Sequence, residues 1–418
     1  MVKAAVPRLS PARRVLDAVG VGRLIMAAAL ALYFLPLAVG KDQRFRLGVF
    51  PLPTKFLDLH SVTAGWECSR DGIDVLRADP CDPLHRPFNY PRIWLLPKYL
   101  GLGQGDTVVL GVLLAVVFLA TVLVLAGRVS WWRGLIWAAV VVSPPVMYGV
   151  ERGNIDLAVF VVLAAGVFLL RPRAVLGSGL FLLAGVLKLF PVFGFGALLQ
   201  ERGRRLWLAA GVAAGFLAYC LATLHDLRLI KKGTPNGDLL AYGAAVFRDA
   251  IVGYGDRSAI ARALPALIVI AALAVAGALL QATRRSWFAL AAAPSAELTG
   301  FWAGAGIYVG TYAFLYDADY RLVFLLLALP QLLRWAAERQ AVVPFARLGI
   351  GLLLLALWFS TDSRYVPAVG WIWTHWNAHV RVHLDTVFQW LLFAYLLGAL
   401  LAALPPALRL RRRTMAPQ

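Results

Sequence analysis

Thr107-Val-Val-Leu-Gly-Val-Leu-Leu-Ala-Val-Val-Phe-Leu-Ala-Thr-Val-Leu-Val-Leu-Ala-Gly127 carries no charged side chain. It is as long as the roughly 20 apolar residues a helix needs to cross a bilayer. Asp106 precedes it, and Arg128 and Arg133 follow. Working outward, comparable runs lie near 21–39, 134–149, 155–170, 206–223, 264–282, 298–315, 322–333, 348–360 and 386–404. Backbone polar groups in lipid must be paired within their own segment, so these runs read as helices. A transmembrane barrel would instead show alternating segments of about 10 residues. Between Arg173 and Glu201 another apolar stretch contains Lys188 and Pro191 and has basic residues on both flanks. It is too short for two crossings and reads as a re-entrant or broken hairpin. Arg8, Arg13 and Arg14 before the first run resemble a signal peptide, but without an evident cleavage site a retained helix is expected.

The chain has 418 residues, 61% hydrophobic and 15% charged, against roughly 25% charged in an average soluble domain. Its formal charge of +19 sits in short basic clusters at the ends of the apolar runs, as the positive-inside rule describes. No basic stripe with interleaved aromatics appears, so nucleic acid is excluded as a partner. With every basic cluster placed inside, both termini are cytoplasmic and 405–418 is a basic cytoplasmic tail. All 22 acidic residues except Asp17, Glu201, Glu297 and Glu338 then fall in or beside outward segments. The expected architecture is a single integral-membrane domain over 1–418. It is all-α, a bundle of about 10–12 transmembrane helices, with outward loops at 40–106, 224–263 and 361–385.

The first outward loop is long, and loops beyond about 12–15 residues are usually functional. Asp58 lies among Phe56, Leu57 and Leu59, where desolvation would raise the proton affinity that a general base needs; it reads equally as a helix N-cap. His60, Glu67 and Tyr90 share the loop. So do Cys68 and Cys81, which an oxidising compartment would join. Glu151-Arg-Gly-Asn154 and Asp156 open an apolar span. Ionisable groups at membrane depth are functional candidates, although Asn154 and Asp156 also suit a cap and Glu151 suits a pair with Arg152. Asp317, Asp319 and Arg321 lie between two runs. Arg321 suits a phosphate through its planar fork, or an ion pair with either aspartate. Lys188 needs a carboxylate, a phosphate or a route to the interface. The last loop holds Trp371, Trp373, His375, Trp376, Asn377, His379 and His383, which suit an aromatic belt better than a metal. No glycine-rich phosphate loop, nucleophile elbow or zinc-protease helix appears, and no metal or cofactor is expected.

Taken in order, these motifs resemble those of glycosyltransferase family 87, integral-membrane enzymes of the GT-C fold that use polyprenyl-phosphate sugars and include mycobacterial mannosyltransferases. The resemblance rests on Asp58-Leu59, Thr63-Ala-Gly65, Gly72, Asn89-Tyr-Pro91, Gly153-Asn-Ile-Asp156, Lys188-Leu-Phe-Pro191 and Tyr316-Asp-Ala-Asp-Tyr-Arg-Leu322. It implies a GT-C-like bundle with a long structured first extracytoplasmic loop, in a bacterial inner membrane, with the site facing outward. It implies Asp58 as the catalytic base, with Lys188 and Arg321 holding the donor phosphate. His60, Tyr90, Glu151, Asn154, Asp156, Asp317 and Asp319 would line the substrate. The donor would be a polyprenyl-phosphate sugar, mannose or arabinose, the acceptor a glycolipid or polysaccharide, and membrane lipids would surround both. The longer first loop with Cys68, Cys81 and Asp79-Pro-Cys-Asp-Pro83 departs from simpler members and makes Glu67, Asp74 and Asp82 rival acids. A carrier or flippase for lipid-linked sugars, and a scaffold protein, are the competing expectations.

Overall fold

The computed structural model describes residues 20–40, 49, 54–200, 206–234, 241–253, 258–282, 295–314, 316–338, 343–360 and 378–404. It is a helical bundle. In chain order the helices are α1 (Val21–Ala38), α2 (Leu57–Arg70), α3 (Thr107–Ala126), α4 (Trp131–Val141), α5 (Pro144–Arg152), α6 (Asp156–Leu169), α7 (Ala174–Leu187), α8 (Leu206–Ala222) and α9 (Leu224–Gly233). They continue as α10 (Ala244–Val252), α11 (Ala259–Ala282), α12 (Ala296–Phe314), α13 (Leu329–Ala337), α14 (Val343–Trp358) and α15 (Ala378–Ala402). Tighter 3₁₀ segments cover Arg92–Leu100, Phe190–Gln200 and Asp319–Leu327. A short antiparallel ribbon pairs β1 (Ala241–Tyr242) with β2 (Asp317–Ala318).

Among the described residues, Val21–Ala38, Gln104–Ala126, Ala259–Gln281 and Leu384–Ala402 are long and apolar enough to cross a membrane. Three bent pairs raise these 4 spans to 7 if each pair is one span: α4 with α5 (52°), α8 with α9 (75°), and Asp319–Leu327 with α13 (49°). The straight spans expected over 134–149 and 322–333 are therefore broken. The first breaks where Ser143 is followed by Pro144 and Pro145, because proline has no N–H to continue the ladder. The second changes from 3₁₀ to α at Ala328, with Pro330 in the first turn of α13. The stretch with Lys188 breaks too: α7 ends at Leu187, and Lys188 is extended.

On α3, Val108, Val109, Val112, Leu113, Val116, Val117 and Val124 are exposed. A contiguous apolar face of this kind suits lipid rather than water. The inner faces are close-packed. A Cβ on Gly134 would lie 2.4 Å from the Cα of Gly22, so α1 and α4 approach to backbone contact. The main core, with Phe118, Trp137, Phe160, Phe301, Phe324 and Trp335, runs through α3 to α7 and α12 to α15. A second core lies in the first loop, where Val62, Trp66, Cys68, Val75, Phe88 and Leu95 pack together. A core this small needs a staple, and the Cys68–Cys81 disulfide, 13 residues apart in sequence, supplies one.

Candidate functional site

Phe56 sets the geometry. It sits in the left-handed region (φ 51°) immediately before α2, a costly conformation for a residue with a side chain. Its ring fills the space that side chains at Gly111 of α3 and Gly153 would need; a Cβ at Gly111 would fall 2.4 Å from it. Gly153, itself left-handed (φ 57°), ends α5. The starts of α2 and α6 thus meet the end of α5, and Asp58, in the first turn of α2, is buried there.

Asp58 does not cap its own helix; Phe56 holds the cap position without a side-chain bond. Both carboxylate oxygens accept from residues far along the chain. Arg152 donates from Nε to Oδ2 at 2.8 Å and from Nη2 to Oδ1, and Asn154 Nδ2 donates to Oδ2 at 2.5 Å. Asp58 is therefore a paired carboxylate rather than one desolvated by apolar neighbours alone, and Arg152 holds it with both arms of its guanidinium. Arg152 also donates to the Tyr148 hydroxyl at 2.9 Å. The side-chain carbonyl of Asn154 accepts the backbone N–H of Asp156 at 2.9 Å, so one amide bridges the first residue of α6 and Asp58, while Ile155 holds the cap position without a side-chain bond.

Asp156 extends the cluster. Lys188 donates to its Oδ1, and Arg321 Nε lies 3.4 Å from its Oδ2; Arg321 also pairs with Asp317. Lys188 therefore does not reach for the interface. Its ammonium sits 5.2 Å from the Tyr90 ring centroid, and the Arg321 guanidinium 4.6 Å from that of Phe190. Trp94 of the first loop donates its indole N–H to the carbonyl of Leu187 at 2.9 Å, which ties the loop to the end of α7 beside Lys188. Asp58, Arg152, Asn154, Asp156, Lys188, Arg321 and Asp317 thus form one buried network with cations and carboxylates in balance. Asp319 is buried where 3₁₀ segment Asp319–Leu327 begins.

A cavity of about 70 Å³ opens onto Asp58, Arg152, Tyr90 and Tyr320 on one side and Asp79, Asp82 and Arg86 on the other. Beside it lies a larger apolar groove of about 530 Å³ between α1, α3 and α5, with Lys55, Phe56 and Glu151 in its walls. Val112 and Val116 also line this groove and are exposed on the outside of the bundle. Neighbouring residues face the two spaces, Glu151 the groove and Arg152 the cavity.

Other candidates lie elsewhere. His60 hydrogen-bonds Gln104 at 2.7 Å, outside the network. Glu67 accepts from the backbone and side chain of Gln104. Asp74 pairs with Arg77 and Arg92 at the surface. Asp82 pairs with Arg86, and that pairing holds its carboxyl below the usual range despite burial. Asp79, which the sequence pattern did not single out, is buried at the cavity wall with Oδ2 lacking a hydrogen-bond partner. Burial, aided by the Asp82 carboxylate, pushes its carboxyl up to about 6. Cys68, Asp79 and Cys81 lie within 4.8 Å of one another; joined sulfurs are not the thiolates that metal binding needs. Trp371, Trp373, His375, Trp376 and Asn377, and the side chains of His379 and His383, lie outside the described residues.

The fold and the site together define a multi-pass helical membrane protein with a buried polar cluster at one end of its bundle. Comparison with known proteins places it no further: no family model, no curated protein and no solved structure matches the chain.

Proposed function

We propose that the protein is an inverting membrane glycosyltransferase with a GT-C-like architecture, as its resemblance to family 87 implies. It would move mannose, or alternatively arabinose, from a polyprenyl phosphate to a glycolipid or glycan on the extracytoplasmic face of a bacterial inner membrane. The observation that carries this reading is the continuous network from Asp58 to Arg321 beside a groove open to the outside of the bundle. The groove suits a polyprenyl chain, and the polar cavity suits the reacting groups.

In this mechanism the acceptor oxygen bonds to the anomeric carbon as the bond from that carbon to the phosphate oxygen breaks. The acceptor proton passes to Asp58, and the electron pair leaves with the phosphate. A carboxylate oxygen offers about two lone-pair sites. Among the described residues Oδ2 already accepts two bonds, whereas Oδ1 accepts one, from Arg152, and keeps a site for a hydroxyl. Lys188 and Arg321 retain N–H groups beyond those directed at Asp156 and Asp317. Those groups would meet the charge that develops on the phosphate.

The test is transfer from radiolabelled polyprenyl-phosphate mannose to an envelope glycolipid by purified protein. Asp58→Asn should lower turnover by about 10²–10⁴-fold while the protein stays folded. Asp79→Asn should retain most of it. If Asp79→Asn abolishes transfer and Asp58→Asn does not, the base is Asp79. A carrier needs a polar path to both faces. Below the cluster Phe190, Phe160 and Phe324 form a packed aromatic floor, which favours the transferase.

A further inference from the structure

The far end of the bundle holds a second cavity that plays no part in this chemistry. It measures about 410 Å³ and lies between the C-terminal ends of α3 and α6, the start of α4, the start of α12 and α13. Among the described residues, Arg128, Arg133 and Arg334 line it, with Glu297 as the carboxylate against them. Arg334 meets Glu297 at 3.5 Å and Glu338 at 4.0 Å, so its charge is already matched. Among the described residues no carboxylate pairs with Arg128 or Arg133, and Arg133 Nε is buried without an acceptor. Trp137 is fully buried at the cavity wall, and its indole N–H also lacks an acceptor. A buried N–H without a partner costs about 1–3 kcal/mol, so a wall with two such groups is short of an acceptor. The rest of the lining is hydrocarbon from Val124, Leu125, Val167, Phe168, Leu327 and Leu333.

This cavity and the Asp58 cluster sit at opposite ends of shared helices. Thr107 of α3 contacts the first loop through Thr63, whereas Ala126 lines the cavity. The 20 residues of α3 span about 30 Å, the thickness of a hydrocarbon core. The cavity therefore lies at the level of the opposite leaflet's head groups, on the side that the positive-inside rule makes cytoplasmic.

The geometry points to a binding site for the phosphate of an anionic phospholipid in that leaflet, with Arg128, Arg133 and the Trp137 N–H as donors and the acyl chains against the apolar wall. Basic pockets between transmembrane helices on the cytoplasmic side are suited to such head groups. The hydrocarbon lining selects a lipid over a free phosphate. The site is independent of the sugar chemistry, and its test does not measure transfer.

The experiment is thermal unfolding of the full chain in detergent, titrated separately with dioleoyl phosphatidylglycerol, dioleoyl phosphatidylcholine and inorganic phosphate. Phosphatidylglycerol should raise the melting temperature of the wild type more than phosphatidylcholine does, and inorganic phosphate should have little effect. In Arg128→Gln/Arg133→Gln the half-saturating phosphatidylglycerol concentration should rise about tenfold or more, the loss of a charge-assisted hydrogen bond. Trp137→Phe keeps an aromatic ring and removes the N–H together with the pyrrole ring, so, read against its own lipid-free melting temperature, it should weaken the response in the same direction if the double variant does not fold. Arg77→Gln, an exposed arginine in the first loop, should leave it unchanged. The proposal is overturned if phosphatidylcholine or inorganic phosphate stabilises as well as phosphatidylglycerol. It is equally overturned if Arg77→Gln weakens the response as much as the cavity variants do, or if neither cavity variant changes it.

Discussion

Asp58 and Asp82 are both buried aspartates on the wall of one small cavity, and both are bound by arginine. Their partners differ in kind. Asp82 accepts from Leu84 N, Arg86 N and the Arg86 side chain, all within four residues, and outside that turn it meets Ser61 of α2. Asp58 accepts from Arg152 and Asn154, which are 94 and 96 residues away. A carboxylate satisfied mainly by its own turn shapes that turn and asks little else of the fold. A carboxylate that three helix ends must converge to satisfy is a different object. Its ions are withdrawn from water at a cost of several kcal/mol each, which good geometry only repays. Such a cluster is a poor way to gain stability and a good way to hold polar groups in fixed positions.

The largest expected effects separate these two aspartates. Asp58→Asn should cost about 10²–10⁴-fold in turnover, whereas Asp82→Asn should leave turnover nearly intact and lower stability by about 1–3 kcal/mol. Equal losses of turnover in the two variants would erase the distinction. Arg152→Gln attacks the distant network from its other side. Breaking a buried pair by removing one partner costs about 3–5 kcal/mol, so denaturant unfolding of this variant should show the greatest loss of stability. A change below about 0.5 kcal/mol, the level of an ordinary surface substitution, would show that water reaches the Asp58 carboxylate.

Next in size is the first loop's disulfide. Closing a loop of this length restricts the unfolded chain by about 3 kcal/mol. Cys68→Ser/Cys81→Ser should lower stability by about that amount. Reductant should shift the wild-type melting temperature the same way and leave the double variant unmoved. Trp66 and Trp94 sharpen the link between loop and site, because Trp66 donates to the Trp94 carbonyl and Trp94 to that of Leu187, next to Lys188. Loosening the loop should therefore weaken donor binding, read as a rise in KM with a smaller change in kcat.

The same contrast of local and distant partners decides what the sequence makes legible. The apolar runs are local, and helices form over them, but among the described residues only 4 to 7 spans are long and apolar enough to cross a membrane, against roughly 10–12 expected, because several runs are short or broken. Hydropathy does not register a break, so 134–149 and 322–333 read as single spans although Pro144, Pro145 and Pro330 are in plain view. Lys188 stands out because no other charge lies between Arg173 and Glu201. Arg152 does not, since Glu151 is an obvious neighbour for it. The left-handed Gly153 and the packing of Phe56 bring Asp58 to it across the fold, which no local pattern shows. Asp79 stays hidden for a related reason: its burial depends on Gly65 of α2 meeting Phe88, which lies in the irregular part of the loop that carries no periodicity.

Asp79 gives the smallest effect, and its sign is fixed. Its carboxyl titrates at about 6 in the folded chain against 3.8 unfolded. Between those values the folded chain binds the extra proton, so stability falls as pH rises. The contribution of Asp79 is fully present below about pH 4 and is lost as pH climbs through 6. Asp79→Asn cannot ionise, so the part of the fall in melting temperature between pH 4.5 and 7 that belongs to this residue should vanish, and the variant should be the more stable protein at pH 7. Asp74 and Asp82 tilt the wild type the other way. Their arginine pairs hold their carboxyls low, and that stability is lost only as pH falls through those lowered values. The two trends separate on the pH axis, and subtracting variant from wild type isolates Asp79. A difference that grows toward low pH instead would mean that Asp79 is paired rather than buried alone, and would place it with the locally satisfied carboxylates.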